Sequence, residues 1–273
     1  MLLVIDVGNT NMALGVYRGD QLVTVWRLTT QRERTVDELG ILCRNLFALE
    51  GLEFSTVTAI IIASVVPPLD FPLRKMAETY FGIEPLFVDA SAPTGLPILY
   101  DNPQEVGADR IADSVAAAAK YGTPAIVVDF GTATTFDAIS ATGEYLGGVI
   151  CPGIMISAEA LFERTAKLPR VDIRRPGSVI GKSTVASIQS GLYFGYIGLV
   201  DGVLERLIEE LGPETRVIAT GGLSHLIGRA SRYIQTIDDN LTLDGLRIIY
   251  ERWKQAESYT GTSSRRSTRE TRS

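Results

Sequence analysis

The sequence predicts an α/β protein built from two similarly constructed domains. Strand-like apolar runs alternate with helical stretches along 273 residues, 45% of them hydrophobic, which is chain enough for more than one core. The segment VIDVGNTNMALGVY is also echoed by VVDFGTATTFDAIS when Asp6 is laid over Asp129 and Gly8 over Gly131. Such a repeat of strand, turn and strand places the division somewhere between Arg110 and Thr123.

The elements follow in order. LLVIDV reads as a buried strand, after which Gly8-Asn9-Thr10 makes a polar turn into a second strand, MALGVY. Gly19-Asp20 turns the chain again into QLVTVWRL. Thr35-Val-Asp-Glu38 has capping-box spacing, and Leu39, Leu42, Leu46 and Leu49 continue at helical intervals until Gly51. The strand AIIIASVV stops at Pro67-Pro68, and LFVDA is the next. A loop of turn formers, Tyr100-Asp-Asn-Pro-Gln-Glu-Val-Gly-Ala-Asp-Arg110, leads into the helix IADSVAAAAKYG. The strands AIVVDF and TTFDAIS form the second copy of the hairpin, and RVIAT comes later. Between them SIQSGLYFGYIGLVDGVLERLIEEL is helical, with Gly191, Gly195, Gly198 and Gly202 on a smooth stripe. Another helix of the same chain or of a second copy could pack there.

Composition excludes several functions. No apolar run approaches the roughly 20 residues of a membrane helix, and Met1 opens directly into a strand, so a cytoplasmic protein is expected. Cys43 and Cys151 are far apart with no histidine beside them, which fits small hydrophobes better than a metal site or a disulfide. His225 is the only histidine and reads best as a residue at a helix start, against histidine-based nucleophilic catalysis. The formal charge is −6, but the segment from Ser258 holds four arginines and one glutamate, leaving about −9 on the body and no basic face for nucleic acid. That Ser/Thr-rich end reads as a disordered tail.

The glycine turns point to phosphate. A Rossmann or P-loop site has a helix directly after its turn, whereas here a strand follows, so the amides at a hairpin tip would face the anion, with Thr10 and Thr132 adding hydroxyls. One such turn is explained by Asp and Asn satisfying their own backbone. Two, each with an aspartate at the strand end, favour a nucleotide with a cation between carboxylate and phosphate. Asp6 implies magnesium through water, and Asp129 a second cation or a water network. Gly177-Ser-Val-Ile-Gly-Lys-Ser183 resembles a P-loop but has three residues between its glycines and no strand in front. Asp109 either caps its helix or serves as a base, while Arg110 offers a fork for a carboxylate and Gly107 permits close approach. The cluster suits an acid that also carries a hydroxyl. Thr220-Gly-Gly222 is a further strand-to-glycine turn suited to adenosine or to an ordinary turn.

DVGNTN, DNPQEVGADR, DFGTATTFD, GGVICPG and IGKST…QSG occur in the order seen in type III pantothenate kinases, and nearly all of the chain before the tail resembles that family. The resemblance implies two ribonuclease H-like domains of the actin, hexokinase and Hsp70 superfamily, with nucleotide in the cleft between them. They are expected at 1–112 and 113–257, with the tail at 258–273. It implies transfer of the ATP γ-phosphate to pantothenate, giving 4′-phosphopantothenate, with magnesium and a monovalent cation, K+ or NH4+, in a homodimer. By motif, Asp6, Val7, Gly8, Asn9, Thr10, Asn11, Met12, Ala13 and Thr132 would bind ATP. Asp129 would hold the monovalent cation, and Tyr100, Gly107, Ala108, Asp109, Arg110 and Thr184 would bind pantothenate, with Asp109 as the base. A kinase for another small hydroxy compound and a non-catalytic nucleotide-binding regulator are the competing readings.

Overall fold

The computed structural model describes residues 1–270, with side chains described through 256. The chain forms two compact units. One comprises Met1–Pro97, Asp101–Ala116 and the chain from Thr242 onward, and the other Ile98–Tyr100 and Ala117–Leu241. A single boundary near residue 112 was expected, whereas the units interleave along the chain. The separate tail expected at 258–273 lies outside the described side chains, and its last three residues lie outside the described residues altogether.

In the first unit β1 (Leu2–Val7), β2 (Asn11–Arg18) and β3 (Gln21–Thr29) form an antiparallel meander. Helix α1 (Val36–Leu49) then crosses to β4 (Ala59–Ser64), which pairs parallel with β1, and α2 (Asp70–Met76) leads to the short edge strand β5 (Leu86–Phe87). The order β3-β2-β1-β4-β5 leaves β1 central, which is why its run Leu3-Val-Ile5 is apolar without alternation and fully buried.

One face of this sheet packs Leu3, Ile5, Leu14 and Ile62 against α1 and α2. The capping box of α1 is present: Thr35 Oγ1 accepts from the Glu38 amide, and Glu38 accepts from the Thr35 amide. The buried side of α1 is Leu39, Cys43 and Phe47, while Leu49 is 81% exposed, so the leucine periodicity traced a stripe rotated from the real one. Phe47 anchors the cluster, with the rings of Trp26, Phe54 and Phe81 at 5.3, 5.0 and 5.8 Å. Burial pushes the Cys43 thiol up to about 12, leaving an inert thiol in the core.

Helix α3 (Ala108–Tyr121) begins in this unit and ends in the other. The second unit continues with β6 (Ala125–Phe130), β7 (Ala133–Ile139) and β8 (Tyr145–Pro152), again an antiparallel meander. Helices α4 (Ile154–Glu163) and α5 (Thr184–Leu211) precede β9 (Arg216–Thr220), which pairs parallel with β6. The short helix α6 (Ser224–Ile227) and strand β10 (Thr236–Ile237) complete the sheet, in the order β10-β9-β6-β7-β8. Counted from the start of each unit, both sheets read 3-2-1-4-5, so the internal repeat is a duplicated topology and the two-domain α/β fold stands.

Strands β8 and β10 were not foreseen. The interior glycines of YLGGVICP hide β8, and β10 has only two residues. Helix α7 (Leu241–Glu270) returns to the first unit and covers the other face of its sheet. Leu243 reaches toward Gly15, and Tyr17 donates to Asp244 Oδ1 at 2.7 Å. A Cβ on Gly245 would stand 2.0 Å from the Ala112 carbonyl oxygen, so α7 and α3 touch backbone to backbone. Among the described residues no helix is long and apolar enough to cross a membrane.

Removal of the Phe47 ring should leave a large void among three aromatic neighbours. Phe47→Ala is expected to lower stability by about 3–5 kcal/mol in urea denaturation; a loss under about 1 kcal/mol would contradict this packing.

Candidate active site

Both expected hairpin turns are present. In the first unit Asp6 sits near the end of β1, paired in register with Ala13 on β2 and Ala63 on β4. The Gly8 amide donates to the Asn11 carbonyl at 3.0 Å and closes the turn. Asn9, Thr10 and Asn11 are exposed at the tip, whereas Val7 and Met12 are core residues at 0 and 1% exposure. Of the residues expected to bind nucleotide, Val7 and Met12 therefore offer main chain only. Segment 29–32 braces the tip, because Thr30 donates to the Gly8 carbonyl at 2.7 Å and Arg32 donates to Asn9 Oδ1 at 3.2 Å. Neither residue was singled out from sequence, since nothing in TQRER distinguishes a brace from a solvated loop.

Gly107, Ala108, Asp109 and Arg110 belong to the same unit, at the start of α3. Asp109 is not the N-cap. The Ile111 amide donates to the Gly107 carbonyl, which places Asp109 inside the first turn. Its carboxylate bends back: Oδ1 accepts from the Arg110 amide at 2.8 Å and lies 2.5 Å from where a Cβ on Gly107 would stand. Glycine is required there because any side chain would occupy the place of the carboxylate oxygen. Burial holds the Asp109 carboxyl above its ordinary range, and the Arg110 amide and charge only partly offset that desolvation. Arg110 itself is 9% exposed.

Val65 ties the two features together. Its amide donates to the Val7 carbonyl at 3.1 Å, and its methyl lies 3.5 Å from the Cβ position of Gly107. The end of β1 and the Asp109 turn are thus separated within the unit by one valine.

In the second unit Asp129 ends β6, paired with Thr135 and Thr220. Its carboxylate also fits where only glycine allows. A Cβ on Gly221 would stand 2.3 Å from Asp129 Oδ1, and one on Gly131 would stand 3.1 Å from Oδ2. Gly221 has φ +89, a conformation that favours glycine in its own right. The Thr220-Gly-Gly222 turn therefore shapes the surroundings of Asp129. Gly153 was missed as a separate feature although GGVICPG contains it: a Cβ there would meet the Thr132 and Gly131 carbonyl oxygens at 2.2 and 2.8 Å. The tip is closed by a bond from the Gly153 amide to the Thr132 carbonyl at 3.1 Å.

Tyr100 and Thr184 lie on other elements of this unit than Thr132. Tyr100 packs on the far stretch of β8, 3.3 Å from the Cβ position of Gly147 and with its ring 6.2 Å from that of Tyr145. Behind it, buried Tyr145 donates to buried Asp137 at 2.8 Å, a support the sequence did not reveal because both look like ordinary strand residues. Thr184 is the first residue of α5, next to Ser183, whose hydroxyl caps the Ala186 amide. His225 lies in α6 and meets Asp239 at 2.9 Å on the surface.

Among the described residues no group of three or more His, Cys, Asp or Glu side chains could hold a metal. Asp6 and Asp129 each bring one carboxylate to the end region of a central strand. That donor set suits a cation that draws most of its ligands from phosphates and water.

Comparison with known proteins gives these features a context. Residues 2–206 match the family model of type III pantothenate kinase. A type III pantothenate kinase from Koribacter versatilis (strain Ellin345) is 61% identical over 262 residues, covering 92% of this chain and 96% of that protein. One from Geobacter sulfurreducens (strain ATCC 51573 / DSM 12127 / PCA) is 56% identical over 252 residues, covering 92% and 99%. Among solved structures, a protein from Sinorhizobium meliloti provisionally assigned as a 2-dehydro-3-deoxygalactonokinase is 14% identical with a TM-score of 0.57, covering 94% of this chain and 96% of that one. (R)-2-hydroxyglutaryl-CoA dehydratase component A from Acidaminococcus fermentans is 12% identical with a TM-score of 0.53, covering 93% and 98%. These structural likenesses concern the fold.

The raised Asp109 carboxyl has a consequence for stability. The folded state keeps its proton more tightly than the unfolded state, so the cost is absent below the ordinary aspartate range and grows as pH rises through the raised value. Asp109→Asn is expected to be at least as stable as the parent at pH 7 in urea denaturation, with the gap narrowing toward pH 4. A variant clearly less stable at pH 7 would contradict the desolvated carboxylate.

Proposed function

The chain belongs to the type III pantothenate kinase family, which phosphorylates pantothenate on the route to coenzyme A, and from that premise we propose how its residues divide the work. The observation that carries the proposal is the Asp109 carboxylate, folded over Gly107 and one valine away from the end of β1. It accepts the proton of the pantothenate hydroxyl. As that oxygen bonds to the γ-phosphorus, the bond to the bridging oxygen breaks and ADP departs with the electron pair. A carboxyl held above its ordinary range is a better proton acceptor than an exposed aspartate.

The main chain of Asp6 to Ala13 binds ATP, with exposed Asn9, Thr10 and Asn11 contributing side chains, and Thr132 contributes from the second hairpin. Magnesium bound with ATP would neutralise phosphate charge, and Asp6 would help to hold it. Asp129, kept in place by Gly131 and Gly221, holds the monovalent cation, K+ or NH4+. Gly107, Ala108 and Arg110 bind pantothenate together with Tyr100 and Thr184, and the Arg110 fork takes the carboxylate. The two free cysteines suit the reducing cytoplasm, where we place the activity.

The homodimer is part of the same proposal. Cβ atoms on Gly191, Gly195 and Gly198 would meet nothing within 4 Å, so the glycine stripe of α5 is not filled by the chain's own packing. Ile150, Met155 and Ile156 on β8 and α4 are exposed as well. A second copy laid along α5 would cover such surface.

Four outcomes are expected. ATP consumption by the full chain should depend strictly on pantothenate. Asp109→Asn should keep nucleotide binding while losing about 10²–10⁴-fold in turnover; near-parental turnover removes the base assignment. Arg110→Ala should weaken pantothenate binding in calorimetry, and an unchanged dissociation constant argues against the clamp. Light scattering should give twice the chain mass, with a monomer sinking the dimer.

A further inference from the structure

The stretch Gly177-Ser-Val-Ile-Gly-Lys-Ser183, which fails as a P-loop, forms one wall of a half-open cleft of about 350 Å³ in the second unit. Arg174, Arg175 and Lys182 all line it, together with Ala186 and Gln189 of α5, and no acidic residue does. None of the three cations forms an ion pair among the described residues. Three like charges around a space of this size repel one another, and an anion among them reverses the sign of that energy.

The wall is fixed. Gln189, 6% exposed, donates to the Asp172 carbonyl at 3.0 Å, Ser187 donates to the Gly181 carbonyl at 3.3 Å, and Ser190 donates to the Val179 carbonyl. A Cβ on Gly181 would stand 2.3 Å from the Ser187 amide nitrogen, so the loop lies directly on the first turns of the helix. Cations carried by a pinned loop lose less entropy on binding than those on a free one. Two guanidinium groups and one ammonium around one cleft supply the forks and the point charge that take multiply charged phosphate oxygens.

We propose that the cleft between the 174–182 loop and α5 is a phosphate-binding site distinct from the Asp6–Ala13 and Asp129–Thr132 hairpins, taking inorganic phosphate, pyrophosphate or the phosphate end of a small metabolite. It binds by charge and fork geometry, without a P-loop strand in front.

Calorimetric titration of the full chain with pyrophosphate tests it. Saturable binding is expected, weakened at least tenfold in Arg174→Gln/Arg175→Gln and also weakened in Lys182→Gln, with pyrophosphate-free turnover of ATP and pantothenate within twofold of the parent in both. These exposed positions leave the melting temperature unchanged, which separates lost binding from lost folding. A parallel titration with orthophosphate should show weaker binding through the same residues, placing the specificity in the number of phosphate oxygens. No saturable binding to the parent, an affinity unaltered in the double variant, or citrate binding as tightly as pyrophosphate would each overturn the site. Because the readout is binding, its failure leaves the assignment of Asp109 untouched.

Discussion

Each unit places a carboxylate in space that only glycine leaves open. Asp109 bends back over Gly107, and Asp129 lies beside Gly221 and Gly131. A methyl at any of these glycines would collide with or press on the neighbouring carboxylate, and so would displace it. The glycines therefore act by close approach, and at Gly221 by positive φ as well. The same device recurs at Gly153, which admits the carbonyls of the second hairpin tip.

Around that constraint the rest of the fold is scaffolding. Two sheets of identical order bury the apolar runs of their central strands, β1 and β6, so each hairpin tip projects from a rigid base. In the first unit α7 presses Gly245 on the Ala112 backbone, one turn beyond Asp109 on α3. The start of α3 is therefore held from one side by α7 and from the other by Val65, so the raised carboxyl has little freedom to move into water. Preorganisation of this kind lowers the reorganisation needed when a proton or phosphate charge moves.

The duplicated architecture was legible because it rests on local signals that repeat: apolar central strands, an aspartate at the strand end and a glycine after it. The strand-end positions of Asp6 and Asp129 were legible for the same reason. What escaped the sequence depends on distant contacts. The buried stripe of α1 is set by the aromatic cluster around Phe47 rather than by its leucines, and β8 hides behind its interior glycines. Val7 and Met12 look like members of the nucleotide motif but face the core, because strand alternation is decided by the sheet. The return of α7 to the first unit leaves no mark in local pattern at all. The role of Gly221 could have been suspected from its strand-to-glycine turn, yet only the parallel pairing of β6 with β9 brings it to Asp129.

The central claim is that phosphoryl transfer depends on a base shut away from water at Asp109. The pH dependence of kcat/KM for pantothenate, followed as 4′-phosphopantothenate by phosphorus NMR, tests it most directly. An acid limb lying clearly above the ordinary aspartate value of about 3.9, and absent from the residual activity of Asp109→Asn, is the result expected. A limb at the ordinary value, or one that survives in that variant, would contradict the account.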